Sequence, residues 1–273
     1  FIHATKRKFP AHKVAKSNPI LQEIRGVKEP EEIDLMQTAC GITEKGFRRV
    51  LGFVKPGVWE FEIEAEFLHE FIRNRSRGFA YTPIIASGNS ANVLHYVENK
   101  NQCREGELIL MDVGAEYANY SSDMTRTIPV SGRFTDRQKQ VYNAVLNVKK
   151  EATKMLVPGT LWAEYHKEVG KLMTSELLGL GLLDKADVQN EDPDKPAYKQ
   201  YFMHGTSHHI GLDTHDYGAL KTPMQPIPDQ GTPAQEAIHA LGLSLYDFGT
   251  GQFVGFRELF RQLDEAKKRM SPE

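Results

Sequence analysis

Cysteine is scarce in this 273-residue chain, with only Cys40 and Cys103. Two are too few for a disulfide framework in a chain of this size, and a reducing compartment is the expected setting. Long apolar runs are missing as well. No segment approaches the roughly 18 consecutive apolar residues that a membrane-spanning helix needs, and the opening FIHATKRKFP is basic without an apolar stretch for a signal peptide. A cytoplasmic protein with no membrane partner is the expectation. An excess of one charge is also absent: Lys and Arg number 34 against 36 for Asp and Glu, a formal net charge of -2. That balance gives no electrostatic reason to expect nucleic acid or an anionic lipid surface. Because the chain opens at Phe1 and not at methionine, it reads as a cropped polypeptide with an upstream part missing.

What is present is ordinary globular material. Hydrophobic residues make up 40% and charged residues 26%, enough to bury a full core in one large domain. Residues 1–30 carry scattered Pro and Lys without a sustained period and read as a linker from an upstream domain. From Ile33 to Val54 apolar residues recur at helical spacing until Pro56-Gly57 stops them, and a second amphipathic stretch runs from Phe61 to Ile72. Thr135 and Gln138 form a capping-box pattern ahead of Val141, Val145, Val148 and Ala152, and Pro158-Gly159 ends that helix. A fourth helix follows through Tyr165, Val169, Leu172 and Leu177. The order helix, Pro-Gly, helix thus occurs twice, which reads as an internal duplication within one pseudo-symmetric domain. Between the helical pairs, LILMDV and SSDMTRTIPV read as strands. The acidic, proline-containing stretch 184–196 reads as a surface excursion.

Three segments carry residues suited to chemistry. In MDVGAEYANYSSDMTRT, antiparallel strands bending near Tyr117 and Ala118 would set Asp112 and Asp123 opposite each other on one sheet face. Like charges so placed repel, and a divalent cation is the simplest compensation. Solvated surface aspartates are the alternative, countered by the flanking Leu108, Leu110 and Met111. In HGTSHHIGLDTHD, His204, His208, His209 and His215 cluster, and imidazole is both a metal ligand and the side chain that titrates nearest neutral pH. A mixture of core and surface histidines is the plainer alternative. The turn-rich ASGNSANVLHY ends in His95, reads as a loop leading into a short strand, and under the duplication is the first-half counterpart of the histidine segment.

These three segments, in this order and roughly this spacing, resemble the aminopeptidase P and prolidase branch of the pita-bread metallopeptidases, over about Ile24 to Gly218. The resemblance implies an α/β (α+β) pita-bread fold: a curved antiparallel sheet flanked by two helical pairs, spanning 31–218. It implies two divalent metals, manganese in many relatives, with Asp112, Asp123 and His208 among the ligands and His95, His204 and His215 around the substrate. A metal-bound hydroxide would then attack the bond between an N-terminal residue and proline. The implied partner is a peptide with proline at the second position. In related enzymes an upstream domain covers the cleft and supports a homodimer.

After Gly218 the family pattern has a Glu-Pro-Gly strand and a second strand that supply two glutamate ligands, and neither is recognisable in the divergent part 219–273. Asp247 and Glu258, in LSLYDFGTGQFVGFREL, are separated as Asp112 and Asp123 are, and Asp247-Phe248-Gly249 echoes Asp112-Val113-Gly114. They are candidate substitutes for the missing glutamates; the alternative is an unrelated or rearranged C-terminus packed as a loop and a helix. Two functions stay open on the sequence: a metallopeptidase for Xaa-Pro bonds, and a catalytically inactive pita-bread domain that binds peptides or a protein partner.

Overall fold

The computed structural model describes residues 2–193, 195–218, 246–247 and 252–253. The chain divides into two compact units, one formed by 1–29 with 226–273 and the other by 30–225. The first contains α1 (Ile2–Lys8) and α2 (Asn18–Gly26), neither of which buries a residue. The linker read from the sequence for 1–30 is therefore partly helical. Seven and nine residues are too few turns for an apolar period to declare itself.

The larger unit is built on two helix pairs. α3 (Pro30–Phe53) starts at Pro30, whose fixed φ suits a first helical position. It turns Ala39, Ile42, Phe47 and Val50 inward against Ile63, Phe67 and Phe71 of α4 (Glu60–Arg73). Phe47, Phe67 and Phe71 pack edge-on and tilted at 5.0 and 5.9 Å between centroids. Burial of each ring removes apolar area worth about 2–3 kcal/mol from water. The second pair is α5 (Asp136–Met155) and α6 (Trp162–Gly179), with its own core of Val148, Ala152, Tyr165, Val169, Met173 and Leu177. The capping box at the head of α5 is as read: Gln138 donates its backbone N–H to Thr135 Oγ1 at 3.3 Å, and Thr135 donates its own to Gln138 Oε1 at 2.9 Å. The two Pro-Gly stops are also alike in conformation, Gly57 at φ 97° and Gly159 at φ 92°, a region that disfavours any other residue. The duplication is thus visible in the helices. The strands that should follow the second pair are represented, among the described residues of this unit, by two isolated bridges, Asp192 with Lys195 and His209 with Asp216.

The sheet belongs to the first half. After β1 (Gly78–Phe79) comes β2 (Ile84–Ser87), which pairs antiparallel with β3 (Leu108–Val113), and β3 pairs with β6 (Met124–Pro129). Between β3 and β6 the chain extends outward as β4 (Ala115–Tyr117) and β5 (Tyr120–Ser121), closed by Ala118 and Asn119 at φ 51° and 71°. Two positive φ values in a two-residue turn are the conformation that matches strand twist. On β3, Ile109, Met111 and Val113 enter the core while Leu108, Leu110 and Asp112 face the other way, as a period of two requires. The segment 88–92 is a 3-10 turn after β2 and not a loop entering a strand, so His95 sits in irregular backbone at φ 54°.

One buried carboxylate ties these pieces together. Glu60, at the start of α4, has 0% exposure. It accepts from Ser87 N and Oγ at 2.7 Å each, from Tyr96 Oη at 2.7 Å and from Asn101 N at 2.9 Å. The end of β2 and the segment on either side of Tyr96, next to His95, thus hang on one side chain. Replacing it by Glu60→Leu orphans those donors in a closed core, and we expect a loss on the order of 3 kcal/mol. Urea unfolding would read this loss directly; a change near zero would mean that water reaches the donors.

Candidate metal centre

Asp112 and Asp123 stand on the same sheet face, but not opposite each other. β3 pairs Asp112 with Thr125, and Val113 with Met124, so Asp123 is offset diagonally by two residues. The offset comes from the turn, which falls at Ala118 and Asn119, one residue later than a bend at Tyr117 and Ala118, and the same register runs through both strand pairs. At Gly114 the ladder is interrupted: a side chain there would place its Cβ 1.7 Å from the Ser122 carbonyl oxygen. Ala115 turns its N–H instead to Thr43 Oγ1 of α3 at 2.8 Å, Thr43 Oγ1 and Ser122 Oγ lie 2.7 Å apart, and Ser122 Oγ donates to Ala115 O at 2.8 Å. All of these groups are buried. Two hydroxyls therefore supplement a rung that keeps one backbone bond, Ser122 N to Ala115 O at 3.1 Å, and the backbone closes in at the residue just before Asp123.

Between the carboxylates lies Tyr81. Its hydroxyl is 2.6 Å from Asp112 Oδ1 and 3.0 Å from Asp123 Oδ1, a single donor shared by two acids. Burial, the bond to Asp112 and the nearby negative charge hold the phenol protonated, well above its ordinary range. Burial also pushes the Asp112 carboxyl up from its ordinary value; the Tyr81 bond opposes this and the charge of Asp123 reinforces it. The pair is thus short of positive charge.

His208 arrives from the second half of the unit, Nε2 at 3.0 Å from Asp123 Oδ2. Its other nitrogen, Nδ1, donates to the carbonyl of His209 at 2.9 Å, the backing that fixes ring direction in metal-ligating histidines. His215 stacks on His208 at 4.1 Å, 11° from parallel. The structure therefore joins Asp112, Asp123, His208 and His215 through Tyr81. It does not bring the remaining two histidines to them. His95 is exposed; His204 turns to the carbonyl of Gly205 at 2.8 Å and to the edge of Phe202. Among the described residues no group of three or more His, Cys, Asp or Glu converges at metal-ligand spacing. The donors that come nearest are Asp112, Asp123 and His208, linked as described, and their hard oxygens and one imidazole suit a divalent cation.

Tyr81 was not singled out in the sequence. It lies three residues ahead of Ile84, which pairs with Asp112, so its reach depends on a strand pairing that local pattern does not reveal. Asp247 falls in a short hairpin of β7 (Tyr246–Asp247) and β8 (Gln252–Phe253), in the smaller unit, where it pairs with Gln252. In the first hairpin Asp112 pairs with Thr125, thirteen residues on; at Asp247 the partner is five residues on. The register of the echo is therefore not repeated. Glu258 lies outside the described residues.

A raised carboxyl pKa has a definite sign. At pH values where Asp112 is ionised, its folded environment disfavours the charge relative to the unfolded chain, so it costs stability. Below its unfolded value, about 3.9, it is neutral in both states and costs nothing. Asp112→Asn should therefore stabilise the metal-free protein at neutral pH, with the gain vanishing as pH falls below about 4. Urea titrations in the presence of a chelator, at several pH values, measure it.

Comparison with known proteins now places the chain. Over residues 34–255 it matches metallopeptidase family M24, a span that runs past Gly218 and stops short of Glu258. It is 41% identical over 213 residues to an Xaa-Pro aminopeptidase of Haemophilus influenzae, covering 78% of this chain and 49% of that protein. The Xaa-Pro aminopeptidase of Escherichia coli is likewise 41% identical over 213 residues, with 48% of it covered. Among solved structures, aminopeptidase P from E. coli with the inhibitor Pro-Leu aligns at TM-score 0.71 and 37% identity, covering 77% of this chain and 48% of that one. An aminopeptidase P described as putative, from Bacillus anthracis, aligns at TM-score 0.74 and 33% identity, covering 81% and 50%. The chain spans about half the length of the relatives it matches, and within that span the α/β pita-bread architecture expected from the sequence is the one it has. The chain belongs to metallopeptidase family M24.

Proposed function

We propose that this chain is the metal-binding domain of an Xaa-Pro aminopeptidase, hydrolysing the bond between an N-terminal residue and a following proline. The observation that carries the reading is the Tyr81-bridged pair Asp112 and Asp123 met by His208, in a chain 41% identical to two Xaa-Pro aminopeptidases. Membership of a metallopeptidase family implies a divalent metal. Manganese as that metal and two ions per chain are the finer part of the proposal. So are a homodimer and a cytoplasmic setting; the two unpaired cysteines support a reducing one. Among the described residues no helix is long and apolar enough to cross a membrane.

In this reading Asp112 and Asp123 offer the oxygens that hold the metal and His208 offers Nε2. A divalent metal supplies Lewis acidity toward the scissile carbonyl and lowers the pKa of a water it holds. Tyr81 keeps both carboxylates in one orientation by donating between them, and its raised pKa leaves it a donor throughout the working range. His215, flat against His208, limits that ring to one plane. His95 and His204 are exposed, which suits residues that meet the peptide or exchange protons with solvent. The unusual backbone of His95, at φ 54°, is of the kind found at functional positions.

The test is metal analysis of the purified chain after manganese loading, together with hydrolysis of a short Xaa-Pro peptide. We expect bound manganese and turnover, both abolished by Asp123→Ala. Two ions per chain would mean that donors from 219–273 complete the site. Absence of both metal and turnover would overturn the reading in favour of a non-catalytic peptide-binding domain.

A further inference from the structure

His208 is carried by irregular chain, and irregular chain does not by itself hold an imidazole in place. The first turn of α6 supplies the restraint. Trp162, Tyr165 and His166 occupy positions i, i+3 and i+4 and so share one face of the helix. Each meets a different residue of the histidine segment. Trp162 stacks on His209 at 5.2 Å between centroids, 23° from parallel. Tyr165 Oη lies 3.0 Å from Ser207 Oγ, and His166 Nδ1 lies 2.7 Å from Thr206 Oγ1. The order reverses along the two segments, so 206–209 runs antiparallel to the helix turn, with His208 the one residue of the four that faces away toward Asp123.

We propose that Trp162, Tyr165 and His166 are positioning residues that hold the 206–209 segment so that His208 meets Asp123, an inference that rests on the metal reading above. The base of the grip is rigid, because Tyr165 is 3% exposed and packed in the second core with Val169 and Met173. A Cβ at Gly218 would lie 2.0 Å from the His209 ring, so the ring also packs against the backbone at Gly218. His209 in turn offers its carbonyl to His208 Nδ1 and to the N–H of Asp216, both at 2.9 Å. The position of the indole is thereby passed through one residue to the imidazole. Second contacts of this kind around a metal ligand are worth roughly 10–100-fold in metal affinity.

The experiment uses the full chain, with amide hydrogen exchange of the metal-free protein and calorimetric titration with manganese. The double variant Tyr165→Phe, His166→Val keeps the volume of both side chains near the original and removes their hydrogen bonds. We expect exchange at Asp216, bonded to His209 O, and at Ser121, bonded to Gly211 O, to rise about tenfold. The amides of β3 should stay as they were, and manganese affinity should fall at least tenfold. Trp162→Ala should act in the same way and Trp162→Phe, which keeps a stacking ring, should restore most of the affinity. Unchanged exchange at Asp216 and Ser121 would overturn the proposal, as would a rise shared equally by β3, which marks general destabilisation. A loosened segment with manganese affinity intact would also overturn it. If the unaltered chain takes up no manganese, the metal reading fails, while a rise confined to Asp216 and Ser121 still supports the grip.

Discussion

The close approach of the Ser122 carbonyl to Gly114 is the constraint beside which the site is built. The register that pairs Asp112 with Thr125 carries through to Glu116 with Ser121, and it holds Asp112 and Asp123 at a fixed diagonal. The approach of the Ser122 carbonyl to Gly114 forbids any side chain there, and Ala115 keeps one backbone bond to this strand, from Ser122 N to Ala115 O at 3.1 Å. Thr43 of α3 then satisfies the freed N–H of Ala115. A buried N–H left unpaired would cost about 1–3 kcal/mol, so the irregular backbone next to Asp123 is sustainable only because a helix hydroxyl stands in for a strand. The convergence of the two acids is in this sense a property of α3 as much as of the sheet. Tyr120, on the outer hairpin, extends the same attachment by donating its hydroxyl to Glu32 at the start of α3 at 2.8 Å.

Much of the fold was legible in the sequence because it is written in local terms. The Pro-Gly stops, the Thr135 and Gln138 box and the alternating LILMDV are all signals that act within a few residues, and each has its expected structure. The residues that position the site are of another kind. Tyr81 reaches the acids only through the β2–β3 pairing, and the α6 turn reaches the histidine segment across some forty residues of chain. Neither leaves a periodic trace. The two acids were identified by spacing, yet spacing alone put them directly opposite, since it could not see that the turn falls at Ala118 and Asn119, one residue later, and gives Asp112 the partner Thr125. The Asp247 echo differs in register for a related reason: a repeated tripeptide says nothing of where the turn falls, and here the turn comes earlier.

Electrostatically the centre is unbalanced in a way that a sheet surface would not tolerate without cause. Two carboxylates share one neutral phenol and an exposed imidazole, and Asp112 is driven toward its neutral form chiefly by burial. Such an arrangement costs stability in the protein alone and recovers it when a cation is present. The contrast with Glu60 is instructive. That carboxylate is more deeply buried, but four donors surround it, and it serves the architecture. Acids of the same chemistry thus differ in how many donors the fold gives them.

The Asp123–His208 contact also has a meaning for the chain as a polymer. Its ends are 85 residues apart, and bringing them together from a flexible coil costs about 4 kcal/mol of closure entropy. An unfolded chain therefore presents these donors singly, never as a set. Any ion that needs both is bound by the native state alone, and its concentration adds to the folding equilibrium by mass action. The pair is, in effect, a gauge that registers whether both helical halves of the unit have folded.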